Sequence, residues 1–142
     1  MATRYWEDVT VGDEVPELRK PCISQQLVLW AAGSGDFYQI HYDKDFAQST
    51  GLPGVIVHGA FKHAFLGHLV HDWAGNTGFI KTLSCSYRGM DPVNKEIRIR
   101  GVVKSKRVED GEHLVDLEIW TETQEGQRTT PGSAVVRLPS KG

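Results

Sequence analysis

The sequence is poor in cysteine, with two in 142 residues, and neither belongs to a CxxC or Cys/His finger pattern. Cys22 and Cys85 are therefore predicted to be small apolar side chains rather than parts of a disulfide framework or zinc finger. No apolar run approaches the ~20 residues that cross a bilayer, and the polar start MATRYWEDVT lacks the apolar core of a signal peptide. The net charge of −2 is too small to attract nucleic acid or anionic lipid in bulk. We expect a cytoplasmic chain without a nucleic-acid or membrane partner.

The composition is that of an ordinary globular protein, with 39% hydrophobic and 24% charged residues. This balance and the chain length fit one domain with a single core. No repeat, linker or low-complexity stretch divides the sequence, so residues 1–142 are treated as one domain. Helix signals dominate up to about Gly75 and strand signals follow Thr77, which predicts an α+β fold.

Three helices are predicted in the first half of the chain. Ser24 is a candidate cap for a helix over 25–32, and Asp43 for a short helix over 44–48. A longer helix over 60–73 carries apolar side chains around most of its circumference. Such a pattern is typical of a helix enclosed by other structure.

The second half supplies strand-like runs that alternate in hydrophobicity. Together with a run at 14–22, they predict a five-stranded antiparallel sheet; the runs are 79–87, 96–106, 113–123 and 133–138. Turns are predicted at Glu109–Gly111 and at Gln124–Gln127. A sheet wrapped around one long central helix is the hotdog architecture.

Two segments carry the candidate chemistry, GDFYQIHYD at 35–43 and GVIVHG at 54–59. Histidine is the side chain most often used for general acid–base work, which makes His41 a candidate, and Asp36 precedes it on a glycine-containing loop. Gly59 lies at the predicted start of the long helix. Its amide would be an unpaired donor at a positive helix end, which suits an oxygen that gains negative charge.

At this separation the two segments resemble the MaoC-like family of (R)-specific 2-enoyl-CoA hydratases and dehydratases. The family carries D-x-N-P-(apolar)-H-x-D followed by (apolar)-H-G, and the stretches 87–93 and 130–139 resemble it too. The resemblance implies a hotdog fold in which Asp36 and His41 converge on one water and the Gly59 amide holds the thioester oxygen. It also implies reversible hydration of a 2-enoyl thioester, with coenzyme A as part of the substrate and no separate cofactor.

The resemblance further implies a homodimer or higher homo-oligomer, or a heteromer with a related hotdog chain. Tyr38-Gln39 stands where the family usually has Asn-Pro, and proline would stiffen this loop through its fixed φ. This departure leaves open a second reading, a non-catalytic or partner subunit of a heteromeric hydratase. A hotdog thioesterase is a third reading, although the central helix offers only Asp72, near its end, as a carboxylate.

Other residues are candidates for substrate contacts. Tyr38, Trp30 and His58 are candidates for lining the acyl pocket, and each also fits a packing role. Four cations are candidates for coenzyme A phosphates, although each also fits a solvated surface charge; they are Lys62, Lys81, Arg88 and Lys104. His63, His68 and His71 lack the spacing of a known metal motif, so no metal site is expected. The acyl chain and the carrier, coenzyme A or acyl carrier protein, stay open.

Overall fold

In the computed structural model, which describes residues 1–142, five antiparallel strands form one sheet in the order β1-β3-β4-β5-β2. The strands are β1 (Glu14–Lys20), β2 (Phe79–Cys85), β3 (Ile97–Glu109), β4 (Glu112–Glu122) and β5 (Arg128–Arg137). The helices are α1 (Ser24–Ser34), α2 (Lys44–Ser49) and α3 (Gly59–Ala74), with short 3-10 turns at Trp6–Asp8 and Gln39–His41. Helix α3 contacts all five strands. The predicted α+β class and the hotdog arrangement are confirmed.

The core lies between α3 and the inward-facing residues of the sheet. On α3 the buried side chains recur at three- and four-residue spacing, as in Phe65, Leu66, Leu69 and Val70, and they form one continuous apolar face. In the first half of β3 and the middle of β4, alternate side chains join the same cluster; they are Ile97, Ile99, Val103, Val115, Leu117 and Ile119. The opposite face of α3 is exposed at Ala64, among other positions. The expectation of an enclosed helix is therefore confirmed for the apolar face and wrong for this one.

The strand boundaries differ from the predicted ones mainly at β5, which begins at Arg128 rather than Ser133. Its first residues form ladder pairs with β4, and on their other side the amides of Ser86, Arg88 and Gly89, in the chain after β2, donate to the Pro131 and Thr129 carbonyls. A proline is tolerated at 131 because its carbonyl, and therefore its nitrogen, faces Ser86 rather than β4, so the missing N–H removes no hydrogen bond of the β4–β5 ladder. The β3–β4 turn is the two-residue Asp110-Gly111, with φ of 50° and 76°, as a twisted hairpin requires.

The helix ends follow local capping chemistry. Asp43 caps α2 as predicted, because its side chain accepts the Phe46 amide at 3.0 Å. Ser24 is the first residue of α1 rather than its cap, and the preceding Ile23 amide donates to the Gln26 side chain at 3.1 Å. Helix α1 ends at Gly35, whose φ of 79° lies in the left-handed region that favours glycine.

Two further expectations concern the cysteines and the membrane. Both cysteines are free, and Cys22 is fully buried. Burial raises the pKa of the Cys22 thiol to about 12. None of the helices combines the length and the apolar character needed to cross a bilayer.

Candidate active site

Asp36 lies just after the end of α1, in a turn that its own side chain stabilises. Its carboxylate accepts the Tyr38 amide at 3.2 Å, and its amide donates to the Ser34 hydroxyl at 3.2 Å. Aspartate commonly closes such local turns. The Asp36 side chain is 44% exposed. The turn therefore fixes Asp36 without burying it.

His41 ends the following 3-10 turn and is almost buried, with 8% of the residue exposed. Its Nδ1 lies 2.8 Å from the carbonyl oxygen of Ile56. Because a carbonyl only accepts hydrogen bonds, Nδ1 carries the proton and Nε2 presents its lone pair. The Ile56 amide in turn donates to the Ile40 carbonyl at 3.1 Å. Two hydrogen bonds thus tie the His41 turn to the segment that leads into α3.

The structure brings Asp36 and His41 together. The distance from His41 Nε2 to Asp36 Oδ2 is 3.9 Å, which is too long for a direct hydrogen bond. A water that hydrogen-bonds each atom at ~2.8 Å would fit between them, because 3.9 Å is less than the sum of the two bonds. The arrangement can therefore hold one water between a carboxylate and a neutral imidazole.

His58 is fully buried and stacks on the His41 ring, with 3.9 Å between centroids and 22° between planes. Its Nε2 donates to the Asp36 carbonyl at 3.3 Å, which leaves Nδ1 as a buried acceptor without a partner. Burial, and then the neighbouring His41, lower the pKa of His58. The candidate pocket residue His58 thus lies behind His41, and its neutral ring links His41 to the Asp36 backbone.

Gly59 is the first residue of α3, and no side chain caps this helix end. Its amide is one of the unpaired donors at a helix N-terminus, where the helix dipole adds positive potential. A Cβ at Gly59 would lie 3.1 Å from the ring of Tyr87. No sequence pattern indicates this contact, because the two residues are far apart in the chain.

Tyr38 and Trp30 both lie near the histidine pair. The Tyr38 ring, which is 54% exposed, meets the His41 ring edge-on at 6.3 Å. The Trp30 ring stacks on Phe61 at 4.7 Å and is 6.5 Å from His58. Trp30, Phe61 and Leu29 line an open, largely apolar groove of about 260 Å³. A larger groove, of about 450 Å³, crosses β1 and β3 and contains none of the site residues.

The cation candidates have different environments. Lys62 is buried, with its Nζ 2.8 Å from the Asp91 carboxylate, so both of its candidate roles, a phosphate contact and a solvated surface charge, are wrong. Lys81 and Lys104 pair with carboxylates on β4, at 2.9 and 3.5 Å. Arg88 is exposed and forms no ion pair within the chain.

Two histidine clusters bear on metal binding. Both ring nitrogens of His68 are engaged, Nδ1 with Lys20 at 3.0 Å and Nε2 with Asp72 at 3.1 Å. His68 therefore has no free ring nitrogen for a metal. Asp36, His41 and His58 instead offer ligand atoms within 4.8 Å of one another. A metal bound there would occupy the same groups that can hold a water.

Comparison with known proteins gives both a family and relatives. The family model described as "MaoC like domain" matches residues 3–124. The fatty acid synthase beta subunit TOXC of Cochliobolus carbonum is 33% identical over 118 residues, which are 81% of this chain. The chain spans only 6% of the length of that protein.

Solved structures share the fold over nearly the whole chain. The (R)-hydratase from A. caviae involved in PHA biosynthesis has a TM-score of 0.84 and 26% identity, covering 94% of this chain and 99% of its own. The ChsH1-ChsH2 complex from Mycobacterium tuberculosis has a TM-score of 0.79 and 22% identity, covering 91% and 98%.

Proposed function

The chain belongs to the MaoC-like domain family, and from this membership we propose that it reversibly hydrates a 2-enoyl thioester to an (R)-3-hydroxyacyl thioester. The observation that carries the proposal is the pair of Asp36 Oδ2 and His41 Nε2, 3.9 Å apart. The pair lies beside the segment that ends in the Gly59 amide. A water site next to an anion-stabilising donor is what this addition needs.

The proposed reaction uses each group once. The oxygen of the water held by Asp36 and His41 bonds to C3 of the enoyl group, and the electron pair of the C2–C3 double bond moves toward the thioester carbonyl. The Gly59 amide donates to the resulting enolate oxygen. One water proton passes to the Asp36–His41 pair and from the pair to C2, so the product contains all the atoms of water and substrate.

The environment of His41 supports its part in this reaction. The Ile56 carbonyl fixes the tautomer in which Nε2 is free to take a proton. The stacked His58 stays neutral because burial lowers its pKa. A neutral His58 does not oppose the positive charge that forms on His41 when Nε2 takes a proton, whereas a charged His58 would repel that charge.

We also propose where the rest of the substrate lies. The groove lined by Trp30, Phe61 and Leu29 opens beside His58 and offers an apolar surface to an acyl chain. Arg88 has no ion-pair partner within the chain and follows Tyr87, whose ring packs on Gly59. It is the cation that contacts a phosphate of coenzyme A in this proposal. Its substitution by Gln should raise KM for a coenzyme A thioester more than it lowers kcat.

The test is loss of the conjugated ultraviolet absorbance of crotonyl-CoA and of a longer 2-enoyl-CoA. His41→Ala and Asp36→Asn should each lower kcat by about 100-fold or more, because each removes a proton-transfer partner of the water. His63→Ala and Asp45→Asn are matched controls away from the pair, and both should retain full activity. Full activity in folded His41→Ala would refute the proposed role.

A second candidate is a partner subunit that lacks activity alone. Two observations favour it: Tyr38-Gln39 replaces the stiffer Asn-Pro, and one of the similar structures is a complex of two different chains. Under this reading the purified protein would hydrate neither substrate and would gain activity only with a related chain. Retention of Asp36, His41 and Gly59 in one arrangement favours the catalytic reading.

The thioesterase reading has little support from the geometry. Asp72 lies thirteen residues after Gly59 on α3, or ~20 Å along a helix that rises 1.5 Å per residue. Its carboxylate is also engaged by His68 at 3.1 Å. It is therefore remote from the candidate oxyanion donor.

A further inference from the structure

Lys62 and Asp91 form a buried ion pair that the proposed reaction does not use. Their side chains are each 2% exposed, and Lys62 Nζ donates to Asp91 Oδ2 at 2.8 Å and to the Gly89 carbonyl at 2.9 Å. Lys62 lies in the first turn of α3, and Asp91 lies in the loop between β2 and β3. The pair therefore joins the start of the central helix to this loop.

The loop holds the segment that orients His41. The Asp91 carbonyl accepts the Val57 amide at 2.8 Å, and the Val93 amide donates to Val55 at 3.1 Å. Between them, Ile56 and Pro92 form a β-bridge. Ile56 is also the residue whose carbonyl accepts His41 Nδ1. The backbone of one short segment thus connects the ion pair to the imidazole.

Lys62 also holds this segment from the helix side. Its amide donates to the His58 carbonyl at 3.2 Å, which fixes the turn that presents Gly59. The other flank of the loop is anchored to β5, where the amides of Arg88 and Gly89 both donate to the Thr129 carbonyl at 2.9 Å. The Lys62 side chain thus connects α3 to the β2–β3 loop, and the backbone hydrogen bonds of that loop connect it to residues 55–57.

A buried ion pair is a poor source of stability, because desolvation of two charges offsets most of their attraction. Apolar side chains of similar volume would hold a helix against a loop at least as well. The pair instead fixes how the helix and the loop sit against each other, because Lys62 Nζ donates to two acceptors at defined positions in the loop.

We propose that Lys62 is a positioning residue: through Asp91 it holds the Ile56 carbonyl and the Gly59 amide where His41 and the thioester oxygen need them. This inference rests on the proposed hydratase function of the same site. It assigns Lys62 no contact with the substrate. Loss of the pair should displace reacting groups, and small displacements of that kind lower kcat rather than weaken binding.

The experiment uses the double variant Lys62→Met/Asp91→Asn, which removes both charges with little change of shape and leaves no lone buried charge. The matched control is Lys81→Met, which breaks the partly exposed Lys81–Glu112 pair of similar length, 2.9 Å. Three quantities are measured: the thermal unfolding midpoint, kcat and KM for crotonyl-CoA, and the ¹⁵N-detected signal and solvent exchange of the His41 Nδ1 proton. That signal is assigned by its absence in His41→Ala.

In the folded double variant, kcat should fall about 10-fold or more with KM within about two-fold. The His41 Nδ1 proton should also exchange faster than in the control. An unchanged His41 signal and exchange rate would overturn the proposal, whatever the activity. If the double variant does not fold, Lys62→Arg, which keeps the charge but moves the donor, is judged by the same signal.

The two proposals fail in different ways. If the unmodified protein hydrates neither substrate, the proposed function fails, and the His41 exchange rate still decides whether Lys62 positions the ring. If the unmodified protein is active and the double variant keeps both its kcat and its His41 signal, only the positioning role fails.

Discussion

At the scale of single residues, Gly59 is constrained both by its amide and by its missing side chain. The amide begins α3 without a cap, and the Tyr87 ring occupies the space in front of the Cα. A methyl group at 3.1 Å from that ring is tighter than ordinary contact, so either the ring or the helix start has to move. Because glycine has no Cβ, the Tyr87 ring can pack directly against residue 59 while the Gly59 amide stays at the start of α3.

We predict that Gly59→Ala lowers kcat roughly 10- to 100-fold, because a shift of the helix start misplaces the oxyanion donor. Steady-state kinetics with crotonyl-CoA measures this. Gly67→Ala is the matched control on the same helix: a Cβ there meets nothing within 4 Å, so activity should be unchanged. Adding Tyr87→Ala to Gly59→Ala should restore part of the lost kcat, and no recovery would show that the ring contact is not the cause.

His58 gives a prediction about pH. Its pKa in the folded protein is lowered, by burial first and then by His41, while in the unfolded chain it should be near the ordinary ~6.5. Between the two values the unfolded chain binds a proton that the folded chain does not. The free energy of unfolding therefore falls as the pH drops below about 6.5, and this contribution disappears above that pH.

The comparison is urea unfolding of wild type and His58→Gln from pH 8 to pH 5. Gln does not titrate, so the variant should lose less stability than wild type on acidification, even if it is less stable throughout. His71→Gln, an exposed histidine on α3, is the control and should keep the wild-type slope. Equal slopes for wild type and His58→Gln would contradict the prediction.

The site could be predicted from sequence only where its chemistry is local. Asp36 and His41 lie within one short motif, and Gly59 marks a predicted helix start, so their residue types made them candidates. The family resemblance, and not spacing alone, implied that Asp36 and His41 converge. The Lys62–Asp91 pair spans 29 residues and depends on how a loop folds back onto α3. Lys62 therefore looked like an ordinary surface cation, and the Tyr87 contact with Gly59 was hidden for the same reason.

At the scale of elements, α2 is a short helix whose start is tied to the site. Its cap, Asp43, comes two residues after His41 and accepts the Phe46 amide at 3.0 Å. A six-residue helix has little stability of its own. The cap therefore contributes to the conformation of the chain on both sides of Asp43.

We predict that Asp43→Ala lowers the free energy of unfolding by about 1 kcal/mol, the usual cost of a lost N-cap. The measurement is the urea midpoint, with Asp45→Ala in the same helix as the control. Asp45 accepts no capping hydrogen bond, so its loss should change stability by less than about 0.5 kcal/mol. An Asp43 variant as stable as the Asp45 variant would show that the cap is not needed.

Most of the helices and strands could be predicted from the sequence. Strand-like runs located all the strands, with period-two alternation within those that became β3 and β4. Glycine with aspartate located the β3–β4 turn, because these signals act over a few residues. The start of β5 was predicted at Ser133 rather than Arg128, because its first residues pair with β4 and with the chain after β2, and these long-range partners leave no local pattern. The exposed side of α3 was missed because hydrophobicity alone does not say which face is covered.

At the scale of the whole molecule, several large apolar side chains are exposed, and a group of them lies near the site in sequence and space. On α1 Val28 and Leu29 are 57% and 65% exposed, and Phe37 and Tyr38 after it are 57% and 54% exposed. Exposed apolar surface of this kind marks a place that a partner or ligand covers. At the sheet edge, β2 has a strand neighbour on one side only, which is a second surface open to pairing.

We therefore predict that the purified chain self-associates, with a light-scattering mass of about twice its 15.8 kDa. If the association completes the site, dilution should lower the mass and the specific hydratase activity at the same concentration. Leu29→Glu, which places a charge on the exposed side of α1, should shift both transitions to higher concentration, whereas Val108→Glu on the remote β3 end should not. A monomer that is fully active at all concentrations would contradict the prediction. A folded monomer without activity would instead favour the heteromeric reading, in which a different hotdog chain covers the same surface.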